Sequence, residues 1–66
     1  MTNMIYGIRE LCGEAWENAI NETIRVLNLT AKTNLTFQDN WKEAQNTAFC
    51  FNVKFDENGN LARFTR

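Results

Sequence analysis

Residues 49–64 read FCFNVKFDENGNLARF, and this stretch is typical of a β-hairpin. Apolar and polar side chains alternate over Phe49–Phe55, which predicts a strand with one buried face. The dipeptide Asn58-Gly59 follows and favours a tight turn, because both central residues of a type I′ turn need positive φ. The stretch therefore predicts a C-terminal hairpin whose phenylalanines lie on the buried face.

A two-residue turn at this dipeptide also predicts the register of the hairpin. Phe55 would lie opposite Ala62, and Lys54 would lie opposite Arg63. The two cations would then face each other on the outer side of the sheet, where directly opposed like charges are mildly unfavourable. This repulsion favours either a longer loop or an acidic neighbour.

Apolar residues recur at helical spacing from Ile5 to about Leu27, which predicts a long N-terminal helix. Its main apolar stripe comprises Ile5, Ile8, Leu11, Cys12, Ala15, Trp16, Ala19, Thr23 and Val26. Because Cys12 lies on this stripe and cysteine packs as a small hydrophobe, we expect its thiol to be buried. Gly7 is an alternative start for the helix, with the preceding residues frayed or extended.

Two shorter segments follow the long helix. Leu29–Leu35 alternates apolar and polar side chains, which predicts a short half-buried strand. Thr36 is the predicted N-cap of the next helix, and Asp39 complements the positive end of its dipole. Helical spacing of apolar residues over Phe37–Ala48 predicts that second, shorter helix.

These elements predict an α+β fold with the order α-β-α-β-β in a single domain spanning residues 1–66. A chain of this length has room for one small core. The long helix and the shorter helix would pack on a small sheet that ends in the C-terminal β-hairpin, giving two layers. A parallel strand–helix–strand unit in the middle would have a right-handed crossover. The alternative is a pair of helices with an appended hairpin.

The composition argues against an enzyme and against a general nucleic-acid-binding protein. Eight acidic and seven basic residues leave a net charge of −1, whereas non-specific nucleic-acid affinity requires clustered cations. The chain has no histidine, which is the commonest general base near neutral pH and the commonest metal ligand. We therefore expect no catalytic residues, no metal and no cofactor. A reactive Cys50, on the outer face of the predicted strand with Lys54, is the alternative.

The cysteines and the N-terminal residues indicate a compartment. Two cysteines far apart in a chain that lacks a basic and then apolar leader are typical of reduced thiols. No stretch approaches the roughly 20 apolar residues of a bilayer-spanning helix. The sequence therefore predicts a cytoplasmic protein with no membrane partner.

The second half of the N-terminal helix has a wider apolar surface than one stripe requires. The partner surface that we predict consists of Ile20, Ile24 and Leu27, with a rim of Glu10, Glu14 and Glu17. A domain this small has few elements with which to cover so broad a surface. The sequence thus predicts a non-enzymatic protein-interaction module, such as a small inhibitor or regulator of a larger protein. On this hypothesis Ile24→Asp abolishes partner binding and leaves the domain folded.

Three alternatives to this hypothesis stay open. Another element of the same chain covers the apolar flank, in which case Ile24→Asp unfolds the domain. The flank is instead a self-complementary seam of a homodimer. As a third alternative, the protein binds nucleic acid weakly through a basic patch on the hairpin that consists of Lys54, Arg63 and Arg66.

Overall fold

Two helices pack on a small three-stranded antiparallel sheet, and the chain ends in a β-hairpin. The computed structural model describes residues 5–62 in full and Arg63 through its backbone. The elements in chain order are β1 (Tyr6–Gly7), a 3₁₀ turn (Ile8–Glu10), α1 (Gly13–Ala31), α2 (Phe37–Cys50), β2 (Lys54–Phe55) and β3 (Leu61–Arg63). The predicted α+β class and the hairpin are confirmed, whereas the predicted order of the elements is wrong.

The third strand of the sheet comes from the N-terminus instead of the middle of the chain. Tyr6 pairs with Phe55 and Gly7 pairs with Lys54, so β1 and β2 are antiparallel. β2 lies between β1 and β3, and each of the two pairings is antiparallel. The parallel unit considered from the sequence is therefore not formed by these strands.

The strand predicted over Leu29–Leu35 is wrong, and the side chain of Asn28 gives the physical reason. Helix α1 continues to Ala31 and ends at Lys32, which adopts the left-handed conformation with φ 56°. The Leu35 N–H donates to Asn28 Oδ1 at 2.9 Å, and Asn28 Nδ2 donates to the Leu35 carbonyl at 3.1 Å. One side chain thus pairs with both backbone groups that a neighbouring strand would otherwise satisfy.

Helix α1 begins at Gly13, eight residues later than the predicted start at Ile5. Gly13 has φ 64°, a left-handed conformation that glycine adopts without steric cost, and this reversal separates α1 from the preceding turn. Ile8 is buried, but it belongs to the 3₁₀ turn and not to the apolar stripe of a helix. The burial predicted for Cys12 is wrong, because this residue precedes the helix in an extended conformation and is exposed.

The predicted second helix is confirmed. Thr36 caps α2 through its hydroxyl oxygen, which accepts the N–H of Asp39 at 3.3 Å. The helix runs on to Cys50, two residues beyond the predicted end, so the strand predicted over Phe49–Phe55 shrinks to Lys54–Phe55.

A short reversal leads from α2 into the sheet. Asn52 has φ 57°, and the Val53 N–H donates to the Ala48 carbonyl at 2.9 Å. These features turn the chain sharply from the end of α2 into β2, so that Val53 and Phe55 enter the core.

The core lies between the two helices and the sheet. Its buried apolar members are Ile8, Ala19, Ile20, Ile24, Ala44, Ala48, Val53 and Phe55. The alanines on facing sides of α1 and α2 are fully buried or nearly so, which is consistent with a close approach of the two helices. The one buried polar side chain among the described residues, Thr23, donates its hydroxyl to the Ala19 carbonyl at 2.9 Å.

An aromatic cluster joins α1 and α2 at the edge of this core. Trp16 lies edge-on to Phe37 and to Trp41, with ring centroids 5.7 and 5.5 Å apart. Its indole N–H donates to Gln45 Oε1 at 2.7 Å, so the polar atom of this half-buried ring is satisfied. The cluster therefore ties the first turns of α1 to the middle of α2.

The hairpin turn lies where the sequence predicts it, but its loop is longer and its register differs. The Gly59 N–H donates to the Asp56 carbonyl at 3.0 Å, and Gly59 has φ 84°. Asn58 does not adopt positive φ, which excludes a type I′ turn. Phe55 pairs with Leu61 instead of the predicted Ala62.

The predicted pairing of Lys54 with Arg63 is confirmed, because a bulge restores it. The register shifts between Lys54 and Phe55, so that Ala62 is the extra residue on β3. Leu61 is half-buried and Ala62 is exposed, so Leu61 takes the core-facing position that the sequence assigned to Ala62.

The carboxylate of Asp56 organises this loop. Its Oδ1 accepts the N–H groups of Asn58 at 2.8 Å and Asn60 at 2.9 Å. The hydrogen bond from the Asn60 backbone is the main cause that holds the pKa of Asp56 below its usual value, and the Asn58 backbone adds to it. Both bonds favour the ionised form, so the charge itself stabilises the loop.

Asp56→Asn is expected to lower the free energy of unfolding at neutral pH and to lose this effect in acid. The pKa of Asp56 is lower in the folded state, so its contribution is complete above the unfolded pKa, near 4, and disappears as the pH falls through the folded pKa. Urea unfolding of both proteins at neutral and acidic pH measures this difference. A difference that stays constant between the two pH values would contradict a role for the charge.

Candidate functional site

The structure places the predicted apolar flank of the N-terminal helix in the core. Ile20 is 0% exposed and Ile24 is 6% exposed, while Leu27 is half-buried. The rest of the fold covers Ile20 and Ile24, so neither can contact a partner protein while the domain is folded. We therefore expect Ile24→Asp to unfold the domain.

The three carboxylates of the predicted rim, Glu10, Glu14 and Glu17, do not lie on one helix. Glu10 belongs to the 3₁₀ turn and accepts the Gly7 N–H on Oε1 at 2.7 Å. Glu14 and Glu17 lie in α1 and are exposed. Because α1 begins only at Gly13, helical spacing does not align Glu10 with the other two.

The predicted basic patch is described only in part. Lys54 is half-buried in β2 and pairs through its backbone with Arg63, as predicted. Arg66 and the side chain of Arg63 lie outside the described residues. Lys54 Nζ lies beside Gly7, 3.8 Å from the position that a Cβ would take there. Lys54 therefore faces the 3₁₀ turn region and the end of α2.

The exposed apolar side chains were not predicted as a group. The large ones among the described residues are Ile5, Leu29, Phe49 and Phe51. Phe49 is distinguished by its surroundings: its ring is 55% exposed, and the Arg9 guanidinium carbon lies 5.0 Å from the ring centroid. This is a cation–π contact between the 3₁₀ turn and the last turn of α2.

Two depressions adjoin this pair. One has a volume of about 370 Å³ and is lined by Arg9, Lys42, Glu43, Gln45, Asn46 and Phe49. The second, of about 240 Å³, lies between the 3₁₀ turn, the end of α2 and the start of β2, and includes Glu10 and Lys54. Arg9 and Phe49 line both depressions. We call the surface formed by Arg9, Glu10, Lys42, Glu43, Phe49 and Lys54 the Phe49 surface.

The cations of the Phe49 surface have no carboxylate partner among the described side chains. Among the described residues, the ion pair is the one between Arg25 and Glu22, at 2.7 Å, on the outside of α1. Both carboxylates of the surface already accept a local hydrogen bond, Glu10 from the Gly7 N–H and Glu43 from Asn40 Nδ2 at 2.8 Å. Within the described part of the chain, the surface thus combines three cations that lack an ion-pair partner with two carboxylates that each accept one local hydrogen bond.

A second aromatic–cation pair lies on the same flank of α2. The Lys42 ammonium is 5.5 Å from the centroid of the Trp41 ring. Trp41 and Phe49 are eight residues apart, so they lie about 12 Å apart along the helix axis, two turns away from each other. Both Lys42 and Arg9 line the larger depression, so it has two cations in its lining.

A helical signal for Phe49 was present in the sequence. Trp41, Gln45 and Phe49 follow one another at four-residue spacing, which continues one flank of the second helix past Ala48. The period-two pattern of residues 49–55 competes with this signal and predicts a strand instead. Arg9 had no comparable signal, because its contact with Phe49 is between distant segments.

The described residues contain no group of three Cys, Asp or Glu side chains placed to hold a metal ion. Neither helix within residues 5–63 has both the length and the apolar character needed to cross a bilayer. No protein-family model matches the chain, and comparison with curated proteins and with solved structures finds no similar protein.

Proposed function

We propose that this chain is a non-enzymatic protein-interaction module that binds a partner protein through the Phe49 surface. The observation that carries the proposal is the position of Phe49, whose ring is more than half exposed between two depressions and beneath the Arg9 guanidinium. A large ring held in this way costs little conformational entropy when a partner covers it. A small inhibitor or regulator of a larger protein is the role that fits such a module.

The types of residue in the surface support a partner protein. Aromatic residues and arginine are enriched among the side chains that dominate binding energy at protein interfaces. Arg9 and Phe49 line both depressions, and the polar side chains of Gln45 and Asn46 line the larger one with them. The surface therefore combines an aromatic ring and an arginine with polar neighbours, as protein interfaces commonly do.

The thiols support a reducing compartment for this module. Cys12 and Cys50 are both exposed and unpaired. Exposed free thiols persist in the cytoplasm, where cellular reductants keep them reduced. We therefore place the proposed module in the cytoplasm.

Site-specific photo-crosslinking tests the proposal. A photoreactive amino acid in place of Asn46, which lines the larger depression, is expected to capture a partner protein in cells that produce the chain. The same amino acid in place of the exposed Asn21 on α1 is expected to capture none. Phe49→Ser should abolish the product from position 46, whereas Leu29→Ser, which alters a side chain 68% exposed on α1, should leave it unchanged.

Three outcomes would contradict the proposal. Equal products from positions 46 and 21 would show that the surface has no preference for partners. A product that survives Phe49→Ser would place the contact elsewhere. A product with twice the mass of the chain would favour the homodimer instead of a foreign partner.

A further inference from the structure

We infer that the Phe49 surface accepts an extended acidic segment of the partner protein, with an apolar side chain between two carboxylates. The inference rests on the proposed function and adds the chemistry of the partner. It is carried by the charges of the surface and by the spacing along α2 of the two aromatic residues, Trp41 and Phe49, that lie next to Lys42 and Arg9.

Charge complementarity favours an anionic occupant. Arg9, Lys42 and Lys54 have no ion-pair partner among the described side chains, and they outnumber the two carboxylates of the surface, Glu10 and Glu43, each of which accepts a hydrogen bond on one oxygen. A carboxylate brought into this site gains pairing with cations that have no ion-pair partner among the described side chains. A cationic segment would instead meet a net excess of positive charge.

The spacing favours an extended peptide of a definite length. Lys42 and Arg9 both line the larger depression, each next to an aromatic ring, and the residues that carry these rings, Trp41 and Phe49, are about 12 Å apart along the axis of α2. An extended chain rises about 3.3 Å per residue, so residues four apart are separated by about 13 Å. Their side chains point to the same side, as does that of the residue midway between them.

The middle side chain of such a segment would lie over the depression next to Phe49. The exposed part of this ring offers an apolar contact, while Gln45 and Asn46 line the same depression with amides. The expected pattern is therefore two acidic residues four positions apart with an apolar residue midway. Each of the three side chains then has a complementary group on the surface.

A nucleic acid fits the same surface less well. The carboxylates of Glu10 and Glu43 line the two depressions and would repel phosphates that follow one another at short intervals. Among the described residues, Phe49 is the one aromatic ring that lines them, whereas single-stranded nucleic acids are usually bound by several stacking rings.

Fluorescence anisotropy with synthetic peptides tests the inference. The probe is a dye-labelled peptide of seven residues with glutamate at its second and sixth positions, leucine at its fourth and serine elsewhere. We expect saturable binding that weakens with added salt. Exchange of both glutamates for lysine, or of the leucine for serine, should weaken it by about tenfold or more, which corresponds to about 1.4 kcal/mol.

Charge-reversed variants locate the binding site. Lys42→Glu should weaken binding of the acidic peptide by about tenfold, because it replaces a cation in the lining of the depression with a carboxylate. Lys32→Glu makes the same change in net charge at an exposed position beyond the end of α1, so it should have a much smaller effect. Circular dichroism of both variants checks that the fold is retained.

The outcomes separate this inference from the proposed function. If the lysine peptide binds as tightly as the acidic peptide, or if Lys42→Glu and Lys32→Glu have equal effects, the inference that the surface accepts an acidic segment is overturned. Tighter binding of a single-stranded oligothymidine than of the acidic peptide would overturn it in favour of nucleic acid. If photo-crosslinking through Asn46 succeeds while the acidic peptide fails, the partner chemistry is wrong and the interaction surface stands.

Discussion

Gly59→Ala is expected to destabilise the protein by on the order of 3 kcal/mol or more. Gly59 has φ 84°, which costs an L-residue about 1–2 kcal/mol, and a Cβ built there overlaps the carbonyl oxygen of Ala15. The same Cβ would lie 2.9 Å from the Cβ of Asn18. The hairpin would have to move away from α1, breaking the hydrogen bond from Asn18 Nδ2 to the Asn58 carbonyl.

Gly13→Ala is the matched control for this prediction. Gly13 also has positive φ, 64°, but a Cβ added there would meet no atom within 4 Å. Its cost should be the conformational term alone, about 1–2 kcal/mol. A domain of this size has a total stability of about 3–10 kcal/mol, so urea unfolding resolves the two variants clearly. Equal losses in the two variants would contradict close packing of the hairpin turn on α1.

Phe55→Ala is expected to lower the free energy of unfolding by about 3–5 kcal/mol. Phe55 is 0% exposed and is the largest fully buried side chain of the described residues. It lies in the central strand of the sheet, where β1 and β3 pair on either side. Truncation would leave a cavity that rigid backbone on both sides prevents from closing, so the loss approaches the whole stability of the domain.

Phe49→Ala removes the same side-chain atoms, but at an exposed position, where we expect only a small loss of stability. Phe49 is 55% exposed, so its truncation should cost less than about 1 kcal/mol, mainly the contact with Arg9. Thermal or urea unfolding of both variants measures the contrast. Similar losses for Phe49→Ala and Phe55→Ala would mean that both rings belong to one buried face, as the alternating sequence pattern suggested.

The elements that local signals determine were predicted from the sequence. The helix after Thr36 has its cap and its apolar spacing within one segment, and the hairpin turn contains Gly59 at the one position that needs a left-handed glycine. For the long N-terminal helix, the predicted start at Ile5 and the predicted end at about Leu27 both come before the observed bounds, Gly13–Ala31. Pairing of β1 with β2 is a long-range interaction that no local pattern indicates, so local spacing places residues 6–7 in the helix.

Much of the candidate site was beyond local reasoning. Ile20 and Ile24 formed an apolar flank in the sequence, and only the packing of the other elements shows that the fold covers it. Phe49 satisfied both a period-two pattern and a four-residue spacing, and the tertiary fold selects the helix. Arg9 reaches Phe49 across 40 residues of sequence, so no spacing rule could connect them.

Amide chemical-shift mapping tests the Phe49 surface most directly. The isotope-labelled protein is titrated with the acidic seven-residue peptide, and shifts are followed residue by residue. We expect the largest changes at Arg9, Lys42, Asn46 and Phe49, and none beyond background at Glu14 and Glu17 on the outside of α1. Shifts that are absent, or that centre on α1, would contradict a binding site at the end of α2.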